Sequence, residues 1–201
     1  MDKKIIKEKL NKLKNYATIN NIPILRPETA ELLQEKVRES NPKTILEIGT
    51  AVGYSGIMML MQNEFSRLVT IEKDEQSYNQ AKDNFIEVGF TDRVEQKLGD
   101  CIDILPNINE KFDFIFLDGP KGQYIKYLPY LMERLNVNGI LFSDNVLYRG
   151  MVNGKTPIAK SKKTLVKNLR LFLDSITNDE RLESKILELE DGVSISIKKK
   201  D

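Results

Sequence analysis

Five short apolar runs constrain this chain most: TILEIG at 44–49, LVTIE at 68–72, VEQKLG at 94–99, FDFIFLDG at 112–119 and GILFSDN at 139–145. Each has strand length. The stretches between them, YSGIMMLMQ, EQSYNQAKDNFIEVG, CIDIL and IKYLPYLMERL, read as helices, with Pro129 expected to kink the last. Strand and helix in alternation predict five parallel strands joined by helical crossovers, an α/β doubly wound sheet. A helix near KTLVKNLRLFLDSI follows, and then SKILELE and VSISIKKK alternate with period two. Asp191-Gly192 lies between these two runs and predicts a closing antiparallel hairpin.

The start of the chain is helical twice over. DKKIIKEKLNKLKNYA places Ile6, Leu10, Leu13 and Ala17 on one face. IPILRPETAELLQEKV puts Pro27 in a first turn and Leu32, Leu33 and Val37 in a stripe, and Asn41-Pro42 stops the helix. With no repeat and no low-complexity linker, residues 1–201 read as one domain, of which 1–40 form the N-terminal helices and a covering segment.

Composition narrows the chemistry. Lys and Arg number 31 against 30 for Asp and Glu, so bulk charge names no partner. The chain has one cysteine and no histidine. Disulfides, zinc sites built on His or paired Cys, and histidine triads are therefore excluded. A metal would have to be hard and oxygen-ligated. No apolar run approaches membrane-spanning length and the Lys-rich start lacks a signal-peptide core, so no membrane partner and a cytoplasmic location are expected.

Every predicted strand ends at or beside an acid: Glu47, Glu72, Asp100, Asp118 and Asp144. Turns favour Asp, which explains one such residue but not five on the edge where α/β sheets bind ligands. The first loop, EIGTAVGYSG, is glycine-rich, yet Thr50 and Ala51 after Gly49 break the G-x-G-x-x-G dinucleotide fingerprint. Glu72, at the end of the second strand, is placed to accept ribose hydroxyls. Asp100 either caps the short helix that follows or reads an adenine amino group. Together they favour a nucleoside carried without pyrophosphate, S-adenosylmethionine. Asp118 and the Asp144-Asn145 pair offer two carboxylates and an amide oxygen, a ligand set for Mg²⁺, with a structural polar network as the bland alternative. Lys121, three residues past Asp118, is either a solvated loop lysine or a base that deprotonates the acceptor hydroxyl.

The set LEIGTAVGYS, IEKD, GD, FLDGPKGQY and FSDNVLYRG resembles the cation-dependent O-methyltransferases, which include the catechol and caffeoyl-CoA enzymes. The resemblance runs from about Ile22 to the C-terminus, and Asp118, Lys121, Asp144 and Asn145 are its most specific part. It implies a Rossmann-like methyltransferase sheet of seven strands, the last antiparallel, with helices on both faces. It also implies that Leu25, Glu47, Gly49, Ser55, Glu72, Asp100, Cys101 and Asp118 line or contact S-adenosylmethionine. Asp118, Asp144 and Asn145 would hold Mg²⁺ or Mn²⁺, with Lys121 and Asp118 catalytic. NNIPILRPE is similar to the segment that closes over the cofactor, and members are often homodimers.

Within the family, PILRPE and NVLYRGMV resemble the shorter bacterial tRNA 5-hydroxyuridine methyltransferases, whose product is 5-methoxyuridine at the wobble position. The insertions that plant enzymes use for CoA esters have no counterpart, nor does the later acid that holds a catechol's second hydroxyl. A small phenol is the alternative acceptor, a non-catalytic binding module a remoter one, and a nicotinamide oxidoreductase is disfavoured by the broken fingerprint. The acid-free stretch 149–170 carries Arg149, Lys155, Lys160, Lys162, Lys163, Lys167 and Arg170. It begins directly after Asn145 and is expected to rim the acceptor pocket and meet a tRNA anticodon stem-loop.

Overall fold

The computed structural model describes residues 3–20 and 22–201. Met1, Asp2 at the head of the first helical run, and Asn21 of NNIPILRPE lie outside the described residues. The chain gathers into two compact units, Met1–Ile104 and Leu105–Asp201. Seven strands make a mixed sheet, ordered β3-β2-β1 within the first unit and β4-β5-β7-β6 within the second.

The first unit begins with α1 (Lys3–Ile19) and α2 (Pro27–Ser40), followed by β1 (Thr44–Ile48), α3 (Tyr54–Gln62), β2 (Arg67–Glu72), α4 (Glu75–Glu87), β3 (Val94–Leu98) and the short α5 (Cys101–Ile104). Ile6, Leu13 and Ala17 of α1 are buried as their spacing requires. In α2 the buried stripe is Thr29, Ala30, Leu33 and Val37, whereas Leu32 is only half-buried. Leu32 and Leu33 are 100° apart on a helix, so one face cannot bury both equally. Asn41 ends α2 in the left-handed region, φ 47°, with Pro42 behind it. β1 and β2 pair in parallel and bury Ile45, Leu46, Ile48, Leu68, Val69 and Ile71, as strands covered on both sides do. β3 is an edge and buries none of its residues; its Glu95 pairs with Lys97 at 2.7 Å, and such charge discourages edge-to-edge association.

The second unit contains β4 (Phe112–Leu117), α6 (Tyr124–Arg134), β5 (Leu135–Asp144), α7 (Lys163–Asn178), β6 (Leu182–Leu187) and β7 (Val193–Lys198). Pro129 is tolerated inside α6 on an exposed turn, and the helix is assigned without a break from 124 to 134. β4 packs its phenylalanines on β5: Phe116 and Phe142 ring centres are 5.8 Å apart, and Phe114 and Phe142 are 6.3 Å apart. A buried aromatic such as Phe142 contributes on the order of 3 kcal/mol. That packing sets the parallel register Leu117↔Ser143, which makes Asp118 and Asp144 the next pair beyond it. β7 runs antiparallel to both β5 and β6.

The closing hairpin differs from expectation. Register places Leu187 opposite Val193, so the connection is the five residues 188–192 and not a two-residue Asp-Gly turn. Asp191-Gly192 has another duty. Gly192 O and Asp191 O accept from Val146 N and Leu147 N, each at 3.0 Å, and Asp191 Oδ1 accepts from Arg149 N at 2.5 Å. Gly192 has φ 87°, and a Cβ there would overlap the Leu147 side chain. The pair therefore clamps the loop that follows Asp144-Asn145. Gly192→Ala should combine left-handed strain with this overlap and lower stability by roughly 2–3 kcal/mol. A denaturant midpoint equal to that of the unsubstituted protein would refute the clamp.

Candidate functional site

In the first unit the glycine loop is built around two carboxylates. Glu47 is wholly buried in β1 rather than at the strand mouth. Ser55 Oγ donates to its Oε1 at 2.5 Å and Thr70 Oγ1 to its Oε2 at 2.7 Å. Because Thr70 spends its one proton on Glu47, Thr50 must be the donor in the 2.5 Å Thr50–Thr70 bond. A Cβ at Gly56 would lie 2.8 Å from Leu68 and 3.1 Å from Glu47, so α3 can approach this network only with glycine there.

Glu72 is the second carboxylate. Its Oε2 accepts from Ala51 N at 2.8 Å, and its Oε1 from Lys73 N and Asp74 N at 2.8 and 2.9 Å. Ala51 has φ 44°, a left-handed conformation that alanine adopts at a cost of about 1–2 kcal/mol. Gly49, φ 97°, donates to Ile71 O at 3.0 Å, which ties the loop to β2. Glu72 thus shapes the glycine loop and keeps one lone pair, on Oε2. Asp100 caps α5, with Ile102 N at 3.2 Å, and meets Lys73 Nζ at 2.8 Å. Burial, helped by Asp100 and Glu72, pushes the Cys101 thiol up to about 12, so it stays neutral and is no nucleophile. Leu25, just before α2, is buried. Of the sequence-derived cofactor residues, Glu47, Gly49, Ser55, Glu72, Asp100, Cys101 and Leu25 all belong to this unit; Asp118 belongs to the second.

In the second unit Asp118 and Asp144 follow adjacent strand positions. Lys121 Nζ lies 2.7 Å from Asp118 Oδ1, and both side chains are about one-quarter exposed. Burial raises the Asp118 carboxyl, and Lys121 opposes that rise. Asp144 is 4% exposed and its carboxyl is pushed up to about 7, by burial first and then by the Asp118 charge. Asn145, φ 56°, donates its backbone N–H to Asp144 Oδ1 at 2.6 Å. Among the described residues no three Asp, Glu, His or Cys gather into a metal-ligating group. The candidate set here is instead two carboxylates and one amide, short of positive charge by one cation, which is the chemistry a hard divalent ion satisfies.

Sequence reasoning missed three supports. The Tyr124 hydroxyl lies 3.2 Å from Leu117 O and 3.1 Å from Asp144 O, so its one proton is shared between the ends of β4 and β5. Burial, then Asp118 and Asp144, holds that phenol well above its ordinary range and keeps it a donor. Asn168 of α7 donates to Gly122 O at 2.7 Å and fixes the Lys121 turn. Asp191-Gly192, read as a turn signal, is the clamp described above. Only the last had a sequence signal, and it pointed elsewhere.

The Asp144 carboxyl titrates near 3.8 when unfolded and near 7 when folded, so the native state binds the extra proton between those values. Native stability therefore falls as pH rises through that window and stays reduced above it. In cation-free protein Asp144→Asn should be stabilising by up to about 4 kcal/mol at pH 8 and nearly neutral at pH 4. Urea denaturation in chelator at both pH values measures this, and a destabilised variant at pH 8 would contradict the charge assignment.

A family profile described as O-methyltransferase matches residues 1–199. A catechol O-methyltransferase from Niastella koreensis is 30% identical over 185 residues, covering 86% of this chain and 81% of the relative. A caffeoyl-CoA O-methyltransferase candidate from Staphylococcus aureus superposes with a TM-score of 0.87 at 30% identity, over 94% of this chain and 91% of that one. The Bacillus cereus O-methyltransferase solved with S-adenosylhomocysteine (SAH) gives a TM-score of 0.85 at 26% identity, over 96% and 91% of the two chains. On the extent of the profile match and the full-length likeness to these enzymes, this chain belongs to the O-methyltransferase family.

Proposed function

We propose that this protein transfers the methyl group of S-adenosylmethionine to an acidic hydroxyl with the help of Mg²⁺ or Mn²⁺, and that the acceptor is 5-hydroxyuridine at the wobble position of tRNA. The carrying observation is the Asp118–Asp144 pair. A carboxyl held up near 7 by burial first and then by the Asp118 charge is costly in a protein with no use for it, and a cation bound by Asp118, Asp144 and Asn145 would relieve it. S-adenosylmethionine would supply an electrophilic methyl on a sulfonium, and the divalent ion would supply positive charge that acidifies an acceptor hydroxyl.

The protein's own groups do the rest. Glu72, already shaped by the Ala51, Lys73 and Asp74 N–H groups, keeps one lone pair, on Oε2, for a ribose hydroxyl. Lys121, 2.7 Å from Asp118, would take the acceptor's proton as a neutral amine, having first released its own proton to solvent when Asp118 is engaged elsewhere. Within the second unit, Tyr124 ties the backbone ends of β4 and β5 and Asn168 fixes the Lys121 turn, which favours reaction by orientation. The Bacillus cereus relative solved with S-adenosylhomocysteine supports the donor. The tRNA acceptor is supported by the acid-free run 149–170 and by the short NVLYRGMV segment. A small phenol is the second reading, favoured by the catechol enzyme of Niastella koreensis.

Calorimetry should show S-adenosylmethionine binding that Glu72→Ala weakens by about 1–3 kcal/mol, the worth of charge-assisted ribose bonds. Comparable saturation by NAD would overturn the donor. Nucleoside mass spectrometry after reaction with hydroxyuridine tRNA should show methoxyuridine only with a divalent ion. Asp144→Ala and Asn145→Ala should abolish it, and Lys121→Ala should lower kcat more than it raises KM. Full turnover in chelator would sink the metal reading, and methylation of catechol but not tRNA would install the phenol in its place.

A further inference from the structure

The seven cations of 149–170 are not one patch. Lys155 is taken by Glu188 at 2.7 Å, and Lys162 stands 5.9 Å over the Tyr148 ring. Arg170 donates to Val152 O at 3.0 Å and to Met151 O at 3.3 Å, which spends part of its fork on the loop. Lys160, Lys163 and Lys167 have no partner among the described residues. Of these, Lys163 and Lys167 join Arg170 in lining a groove of about 580 Å³ along α7, with Ile158, Val166 and Leu171 as its apolar surface.

Helical geometry gives that groove a direction. Lys163, Lys167 and Arg170 fall within an arc of roughly 60° and span about 10 Å along the helix axis. Leu165 and Asn168, which face the Lys121 turn, lie roughly 160° round the same helix. The basic row is therefore turned away from Lys121, contrary to the expectation that these charges rim the acceptor pocket. It still belongs to the loop that leaves Asn145, because Arg170 is bonded to Val152 and Ile158 forms a wall.

We propose that this groove is a docking subsite for the phosphodiester backbone of an RNA acceptor, distinct from the place where the hydroxyl reacts. The inference rests on the RNA reading of the acceptor above. Exposed cations in a row, rather than converging on one point, match a chain of phosphates and not a single small anion. α7 begins at Lys163 without a side-chain cap, so its N-terminal N–H groups add positive potential at that end. Asp174, held by Asn178 at 2.8 Å, bounds the other end with negative charge. Leu171, 46% exposed, and Ile158 offer apolar area to sugar faces between phosphates. A subsite so placed would grip the body of a stem-loop while its unpaired base reaches the reacting groups.

The test uses the whole protein and a fluorescent RNA stem-loop carrying 5-hydroxyuridine, titrated by anisotropy across salt. Lys163→Glu with Lys167→Glu should weaken binding at least tenfold and reduce the slope of log affinity against log salt by about 2. Lys163→Arg with Lys167→Arg should keep both. Methylation of the free 5-hydroxyuridine nucleoside by the Glu variant should match that of the unsubstituted protein. Unchanged RNA affinity and slope in the Glu variant would overturn the groove while RNA methylation left the acceptor reading standing. Failure of the unsubstituted protein to bind RNA would overturn both. Equal losses on nucleoside and RNA would also refute a separate subsite. A dimer split by Leu171→Glu, with RNA binding intact, would give the groove to a second copy of the chain instead.

Discussion

Asp118 and Asp144 stand beyond paired positions of two parallel strands, and the second unit is organised around the cost of keeping them there. Two carboxylates so placed repel, and desolvation denies them the screening of water. The fold offers three partial remedies: Lys121 on Asp118, the Asn145 N–H on Asp144, and a proton on Asp144 below about pH 7. Above about pH 7, where that proton is gone, the deficit of positive charge remains. Any cation bound there would link ligand binding to stability, because what relieves the charge also stabilises the native state.

Holding that arrangement takes elements distant in sequence. The Phe114, Phe116 and Phe142 stack sets the β4–β5 register, and Tyr124 ties the strand ends from α6. The loop after Asn145 passes through left-handed conformations at Asn145, Tyr148, Arg149 and Gly150, and the Asp191-Gly192 clamp pays for that strain with backbone hydrogen bonds. The first unit solves a related problem differently. Its buried Glu47 is satisfied by hydroxyls, with Ser55 and Thr70 donating to it and Thr50 donating to Thr70. One carboxylate is fully engaged by hydroxyls, whereas the pair in the second unit is left short of positive charge.

Much of this was readable in order along the chain. Apolar runs of strand length separated by helical period are local signals, and they located β1, α3, β2, α4, β3 and β4 closely. The antiparallel β6–β7 pair was expected from the two alternating runs on either side of Asp191-Gly192, although the connection is longer than the two-residue turn that dipeptide signals. β5 was placed from Gly139, but its leading LNVN stretch was not, because Asn138 at φ 66° and the close approach at Gly139 depend on packing against β4.

By itself the sequence determined the alternating α/β plan, the absence of histidine and thiol-pair chemistry, and an acid at or beside every parallel strand's end, because each depends on residue type and short-range period. Tertiary structure decided what those acids do. Register alone made Asp118 and Asp144 neighbours, burial raised both carboxyls, and cross-strand hydroxyls turned Glu47 from a strand-end acid into part of the core. It also turned the lysines of α7 away from the Lys121 turn, a fact of helix orientation that no count of charges along 149–170 contains. These depend on distances between residues remote in the chain, and such distances exist only once the strands have paired.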